Sequence, residues 1–448
     1  MDYDKQHRRQ ILHVAITEAV MTLSVVILTV VFAMIVSGYW FNSDFKIVQD
    51  GFLQVYTVPS GATVDVDGNV WFARTNASQM LSKGKKTVTL SREGYDTWSK
   101  TITISEGLLY RLGYPRLFKE ERIKKEALDF AAWNNYFVSN DKTKLAVIDD
   151  NKNIGLIDLT SDSFEVKQNT IAAFLDDAEK IESVVWNDDN NKLLAKTTSG
   201  RFLLINLNKM ADSVNLNKVF KMNFENILIT DHSADKLMAL TDGQLRAINV
   251  PDLTISKTIA ENVSDALAFD NEAFYVAQNG LYYMQNDKIR RIMDISERSI
   301  LARGKFYDDN YLVVVGDNIM KLYPESYLLT VKDEAIEEEY LAELPVMPNK
   351  VKFGPEGNFV MMESDGLLLT FDMEEMALAN IPINGRYGWI DNNMLFNVKD
   401  GTMSVCDFDG LNSRVIVKQN VDADSFAAIT QNKFLFYISG HQLIREEL

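Results

Sequence analysis

The stretch KLLAKTTSGRFLLINL, residues 192–207, decides how this chain is read. Two apolar runs flank a Thr-Thr-Ser-Gly turn, the pattern of antiparallel strands joined by a tight hairpin. In a chain of 448 residues such a unit invites a search for repeats. Seven more follow the same plan: KLAVIDDNKNIGLIDL, KLMALTDGQLRAINV, AFYVAQNGLYYM, YLVVVGDNIMKLY, FVMMESDGLLLTFDM, MLFNVKDGTMSVCDF and KFLFYISGHQLI. Their glycines, read as turn residues, are Gly155, Gly200, Gly243, Gly280, Gly316, Gly366, Gly401 and Gly440. Successive intervals are 45, 43, 37, 36, 50, 35 and 39 residues.

An apolar-aromatic stretch precedes most of the hairpins, as in SVVWNDDNN (183–191), ALAFDNE (266–272), KVKFGPEGN (350–358), YGWIDNN (387–393) and SFAAITQN (425–432). A weaker strand follows, as at 253–259 and 413–417. Four strands in about 40 residues are the dimensions of a β-propeller blade. A single blade cannot bury both faces, so neighbours must stack. Eight units over residues 128–448 favour eight blades, with seven as the alternative. A pair of sandwiches or an open solenoid fits less well, because the units lack helices and capping repeats. The last unit ends after three clear strands, so residues such as 117–123 are expected to supply the missing edge strand. The longest interval holds KDEAIEEEYLAE (332–343), read as an acidic helical or irregular insertion between outer strands.

The N-terminus follows a different rule. Residues 19–40 read AVMTLSVVILTVVFAMIVSGYW, 22 residues without a charge. At about 1.5 Å per residue this crosses a hydrocarbon layer of roughly 30 Å. Aromatics Tyr39, Trp40 and Phe41 close the run, as at a lipid–water interface. The run exceeds the apolar region of about 7–15 residues in a cleaved signal peptide, and Ser37-Gly38-Tyr39-Trp40 is a poor cleavage site. Lys5, Arg8 and Arg9 precede the run and only Lys46 follows closely. The positive-inside bias then places a tail, residues 1–18, in the cytoplasm, a transmembrane helix at 19–41, and everything from about 42 onward outside. Residues 42–51 read as a linker.

Residues 52–112 alternate apolar and polar in short runs (FLQVYTV, ATVDV, KTVTL, WSKTITI) broken by Gly61, Gly68, Gly84 and Gly94, as a small β-sandwich would. Asp67-Gly68 between Val66 and Val70 is a two-residue hairpin signal. The order Val58-Pro59-Ser60-Gly61-Ala62-Thr63-Val64-Asp65-Val66-Asp67-Gly68, then Gly84 to Leu90, then Glu93-Gly94-Tyr95 and Trp98, resembles the PEGA domain family. Ser60 replaces the glutamate of the family's name motif, and Thr75-Asn76-Ala77-Ser78 stands where a Thr-Pro is usual. The resemblance implies a non-catalytic module of bacterial surface proteins, often beside a membrane anchor. Residues 113–127 are then a linker or the ring-closing strand.

Charge and chemistry narrow the function. The chain carries −17 overall; residues 42–118 contribute +2 and residues 119–448 contribute −19. So acidic an exported domain repels phosphate backbones, which argues against nucleic acid as a partner. Cys406 is alone, so no intrachain disulfide forms. No Gly-x-Ser-x-Gly, His-Glu-x-x-His, Gly-x-Gly-x-x-Gly or Walker loop occurs. The four histidines are scattered: His7 and His13 by the anchor, His232 and His441 in turns. Asp149-x-Asn151-x-Asn153 and Asp65-x-Asp67-x-Asn69 mimic the start of a calcium loop but lack its glycine and closing glutamate, so they read as hairpin turns. No residue is assigned a catalytic, cofactor or metal role, and no cofactor is expected. The expected partners are membrane lipid for the helix and a protein or glycan for the propeller. The function expected is a membrane-anchored binding or scaffolding protein of the cell envelope. The alternative is a glycan-processing or other enzyme using channel carboxylates.

Overall fold

A computed structural model describes residues 3–41, 47–161, 165–270, 272–286, 288–331, 336–354 and 356–448. The chain divides into two compact units, 1–120 and 121–448.

The first unit begins with one α-helix, Tyr3–Val36. It starts well before the apolar run, so residues predicted as a tail extend the helix. Within it, the most apolar 18-residue window of Ala15–Val36 has mean hydropathy 2.8, and none of that window is covered by protein. It is a candidate membrane span or signal sequence. Tyr39–Phe41 pairs with Ile47–Gln49, so the segment read as a linker is partly strand; residues 42–46 lie outside the described residues. A sandwich follows, with a three-stranded sheet (Ala77–Leu81, Gly51–Val55, Leu109–Leu112) facing a four-stranded one (Asn69–Val70, Thr63–Val66, Gly84–Ser91, Trp98–Ile104). Alternation does what the sequence implied: in Trp98–Ile104 every second side chain is buried. Leu53, Val64, Leu90 and Trp98 form a shared, fully buried core.

Among the described residues the second unit is eight four-stranded antiparallel sheets. In seven of them four consecutive strands follow each other, as in Ile181–Trp186, Lys192–Thr197, Phe202–Asn206 and Val214–Asn215. The eighth takes Ala427–Thr430, Phe434–Ser439 and Gln442–Glu447 from the end of the chain and its outer strand, Ile123–Asp129, from the start. Cores lie between blades. Ile148 and Ile154 of blade 1 pack with Trp186, Leu193 and Leu203 of blade 2. Blade 8 packs on blade 1 through Phe436, Ile438 and Leu443 against Tyr136, Leu145 and Val147. The sheets therefore close on themselves as an eight-bladed β-propeller, and each blade's apolar faces are buried by its neighbours.

Several details differ from expectation. The closing strand begins at Ile123, because Leu117 is buried in the sandwich core and leaves the earlier residues unavailable. Five of the eight glycines have positive φ, but Gly155, Gly280 and Gly316 do not. Gln278-Asn279 and Asp317-Asn318 make two of those turns instead, since asparagine tolerates the left-handed region. Gly155 lies inside the strand Asn153–Asp158, where a Cβ would fall 2.7 Å from Val166. The long interval is filled by a short helix, Glu325–Thr330, and Tyr340–Glu343 is the outer strand of blade 5 rather than part of an insertion. Residues 332–335 lie outside the described residues.

Candidate functional site

The first strand of each blade lines the centre of the ring, and its end leads into a turn at one rim. Asp and Asn dominate those turns because their side chains cap local backbone donors. The Asn187 Oδ1 accepts from the amides of Asn191 and Lys192, and the Asp391 Oδ1 from those of Asn393 and Met394. Neighbouring turns are also tied together: Lys144 Nζ donates to the Asn190 carbonyl (2.8 Å), and Asn187 Nδ2 to the His232 carbonyl (2.8 Å). Lys192 pairs with Asp235 at 2.5 Å, and Asn392 Nδ2 donates to Glu356 at 2.8 Å. The rim is an acidic, interlocked surface.

The inner strands have the opposite charge. These strands carry Arg303, Lys305, Lys350, Lys352 and Arg386 against Glu182 and Asp265, five bases and two acids, a net of +3 before the acids of neighbouring elements that pair with them are counted. All five bases fall on blades 5, 6 and 7, in the runs ILARGKF, KVKF and RYGW. A cavity of about 560 Å³ opens there, lined by Arg303, Lys305, Tyr307, Lys352, Phe353 and Glu356. Arg303 is fixed by two bonds to Glu325, 2.5 and 3.1 Å, and its guanidinium lies 3.8 Å from the Phe269 ring centre. Gly304 admits the Phe353 ring, which a Cβ would meet at 2.1 Å.

Lys352 Nζ pairs with Glu363 at 3.2 Å, and burial holds its ammonium below the usual lysine range. Burial, with Glu363 nearby, pushes the Tyr387 phenol up to about 12. Lys142, from the first turn of blade 1, reaches the fields of Asp391 and Lys352; burial pulls it down to about 8 against the attraction of Asp391. Lys142, Asp391 and Lys352 thus feel one another's charge, and each basic group named has an acid beside it: Glu325 for Arg303, Glu363 for Lys352 and Asp391 for Lys142. No residue of this cluster was singled out from the sequence. The signal was present as basic residues at every second position of two adjacent inner strands, Arg303/Lys305 and Lys350/Lys352.

The residues weighed earlier lie elsewhere. His232 Nδ1 is 2.7 Å from Asp188 on the exposed rim, and that carboxylate raises its pKa. His441 Nδ1 is 3.4 Å from Asp422 at the opposite end of the blades. Asp149 accepts from the Asn153 amide and side chain, 2.7 and 2.8 Å, closing a turn. Asp65 accepts from Gly68 and Asp67 from Thr87, so this pair also serves a hairpin. Among the described residues no three His, Cys, Asp or Glu side chains are grouped to hold a metal ion. Asp265 accepts from the Leu301 amide at 2.7 Å, joining inner strands of blades 4 and 5. The Cys406 thiol, half-buried beside Asp407, is pushed up to about 12 and is a poor nucleophile.

Comparison with known proteins finds one family model and several solved structures similar to parts of this chain. The PEGA domain family matches residues 51–115, so the sandwich is a PEGA domain. Among solved structures, the C-terminal WD40 domain of Sif2 is 11% identical with a TM-score of 0.46, covering 73% of this chain and 99% of that one. The β-propeller domain of Cps50 (Swd1) from Myceliophteria thermophila is 11% identical with a TM-score of 0.42, covering 73% and 100%. PorZ, a bacterial surface component of the type-IX secretion system of Porphyromonas gingivalis, is 12% identical with a TM-score of 0.41, covering 69% of this chain and 43% of its own. A search of curated proteins gave no match. These likenesses concern the fold; the ring itself rests on its eight sheets.

Proposed function

We propose that this protein is a single-pass membrane protein of the cell envelope. Its N-terminus faces the cytoplasm, and it holds a PEGA sandwich and an eight-bladed propeller outside as a binding or scaffolding platform. The observation that carries this reading is the charge-free helical run from Ala19 to Val36, uncovered by protein and followed by two β units. A charge-free helix of that length matches the thickness of a hydrocarbon layer. The closed ring then supplies a rigid rim for a protein or glycan partner, and the cavity lined by Arg303, Lys305 and Lys352 is the place proposed for it.

Two measurements test this. Protease added to intact cells (spheroplasts where an outer wall blocks access) should remove a C-terminal tag and spare an N-terminal one. The reverse pattern, or release of the protein without detergent, would overturn the anchor. Crosslinking in the same cells should recover a partner whose yield falls at least several-fold in Lys142→Glu/Lys352→Glu. Unchanged yield would move the partner site away from that cavity.

A further inference from the structure

The PEGA sandwich has an apolar row on its outer face at the end where the N-terminal helix joins it. In Gly51–Val55 the side chains of Leu53 and Val55 enter the core while Phe52 and Gln54 face out. Phe52 lies opposite Met80 on one neighbouring strand and opposite Leu109 on the other. Three outward side chains therefore sit side by side across the sheet, with exposures of 38%, 37% and 47%, and Leu108 beside them is 64% exposed. The next outward row is polar: Gln54, Ser78 and Arg111 share one register, about 7 Å along the strands. One face is thus greasy at one end and polar at the other.

The greasy end is fastened to the helix terminus. The Asp50 amide donates to the Gly38 carbonyl at 2.8 Å, and Gln49 Nε2 to the Ser37 carbonyl at 2.9 Å. The Gly107 amide donates to the Asp50 carbonyl at 3.1 Å, and a Cβ on Gly107 would meet the Gln49 amide at 2.3 Å. With Tyr39–Phe41 paired to Ile47–Gln49, little slack is left between the helix and the first row of the sheet. The polar layer on each side of a hydrocarbon core is about 5–8 Å deep. A row held this close to the end of a spanning helix lies within that layer. For a spanning helix the apolar row then falls on the inner side of that layer, nearest the acyl chains, and the polar row of Gln54, Ser78 and Arg111, about 7 Å further along, on its outer side.

We propose that Phe52, Met80, Leu108 and Leu109 form a lipid-contacting collar that seats the sandwich on the outer surface of the bilayer. The proposal rests on the reading of the helix as a membrane anchor. It is tested with the full chain in liposomes of zwitterionic phospholipid carrying a quencher near the glycerol backbone. On a Cys406→Ser background, an environment-sensitive fluorophore is placed by Met80→Cys or Leu109→Cys, by Thr101→Cys on the outer face of the other sheet, and by Val25→Cys in the helix. Positions 25, 80 and 109 are expected to be quenched several-fold more than position 101. Quenching at 25 with 80 and 109 equal to 101 overturns the collar and leaves the anchor standing. No quenching at 25 overturns the anchor and the collar with it. Shielding at 80 and 109 that tracks protein concentration instead of the lipid quencher assigns the row to a second copy of the chain and also overturns the collar.

Discussion

Asp265 is one of two acids on the inner strands, and burial pushes its carboxyl up to about 6 although the amides of Leu301 and Ala266 bind it. An unfolded aspartate titrates near 3.9. The folded chain therefore holds this proton more tightly, so the residue's stabilising share is full below about pH 4 and is lost as pH rises through about 6. Asp265→Asn keeps an acceptor for Leu301 without the buried charge. Thermal or denaturant unfolding should show it stabilised by about 1–2 kcal/mol at pH 8, with the gain shrinking toward pH 5. Gly304 gives a steric counterpart: Gly304→Ala, driven into Phe353, should cost about 1–3 kcal/mol. Part of that cost should return in Gly304→Ala/Phe353→Leu, measured by the same melts. The turn carboxylates were legible in the sequence because an Asx turn is local. The meeting of Lys142 with Lys352 was not, since only ring closure brings blades 1 and 6 together.

The strand Ile123–Asp129 is the element on which the ring depends. It pairs with Gln442–Glu447 from Ile123↔Glu447 to Asp129↔Gln442 and covers what would be an open sheet edge. Residues 121–448 expressed alone are expected to melt in one cooperative transition. Residues 133–448 should melt lower and broadly and bind a hydrophobic dye, and equal melting of the two would contradict this role for the strand. Most strands were readable from apolar runs and turn residues, which act over a few positions. Outer strands were readable at 253–259 and 413–417 but not everywhere: Lys167–Thr170 is exposed throughout and Tyr340–Glu343 looks like an acidic helix, because an edge strand at the rim needs little hydrophobic pattern. The sandwich was legible down to Asp67-Gly68, whose φ values of 52° and 83° are those of the hairpin turn expected.

For the whole molecule, the acidic ring with its basic inner strands implies that salt acts differently on its two surfaces. Exposed rim pairs such as His232–Asp188 are screened readily, while the half-buried Arg303–Glu325 pair is shielded from ions. Melting of residues 121–448 should therefore change little between low and high salt, whereas any capture of the proposed partner through Lys305 or Lys352 should weaken, as binding isotherms would show. The closing strand has a mechanical side as well. The chain passes from the first unit into the ring at Arg122, immediately before the strand that latches it. There Arg122 bonds Glu446 at 3.3 Å and also donates to the Ile416 carbonyl. A pull on the chain at residue 121 would therefore load the bonds of Arg122 to two different blades, through Glu446 and the Ile416 carbonyl, before it peels the closing strand from its neighbour.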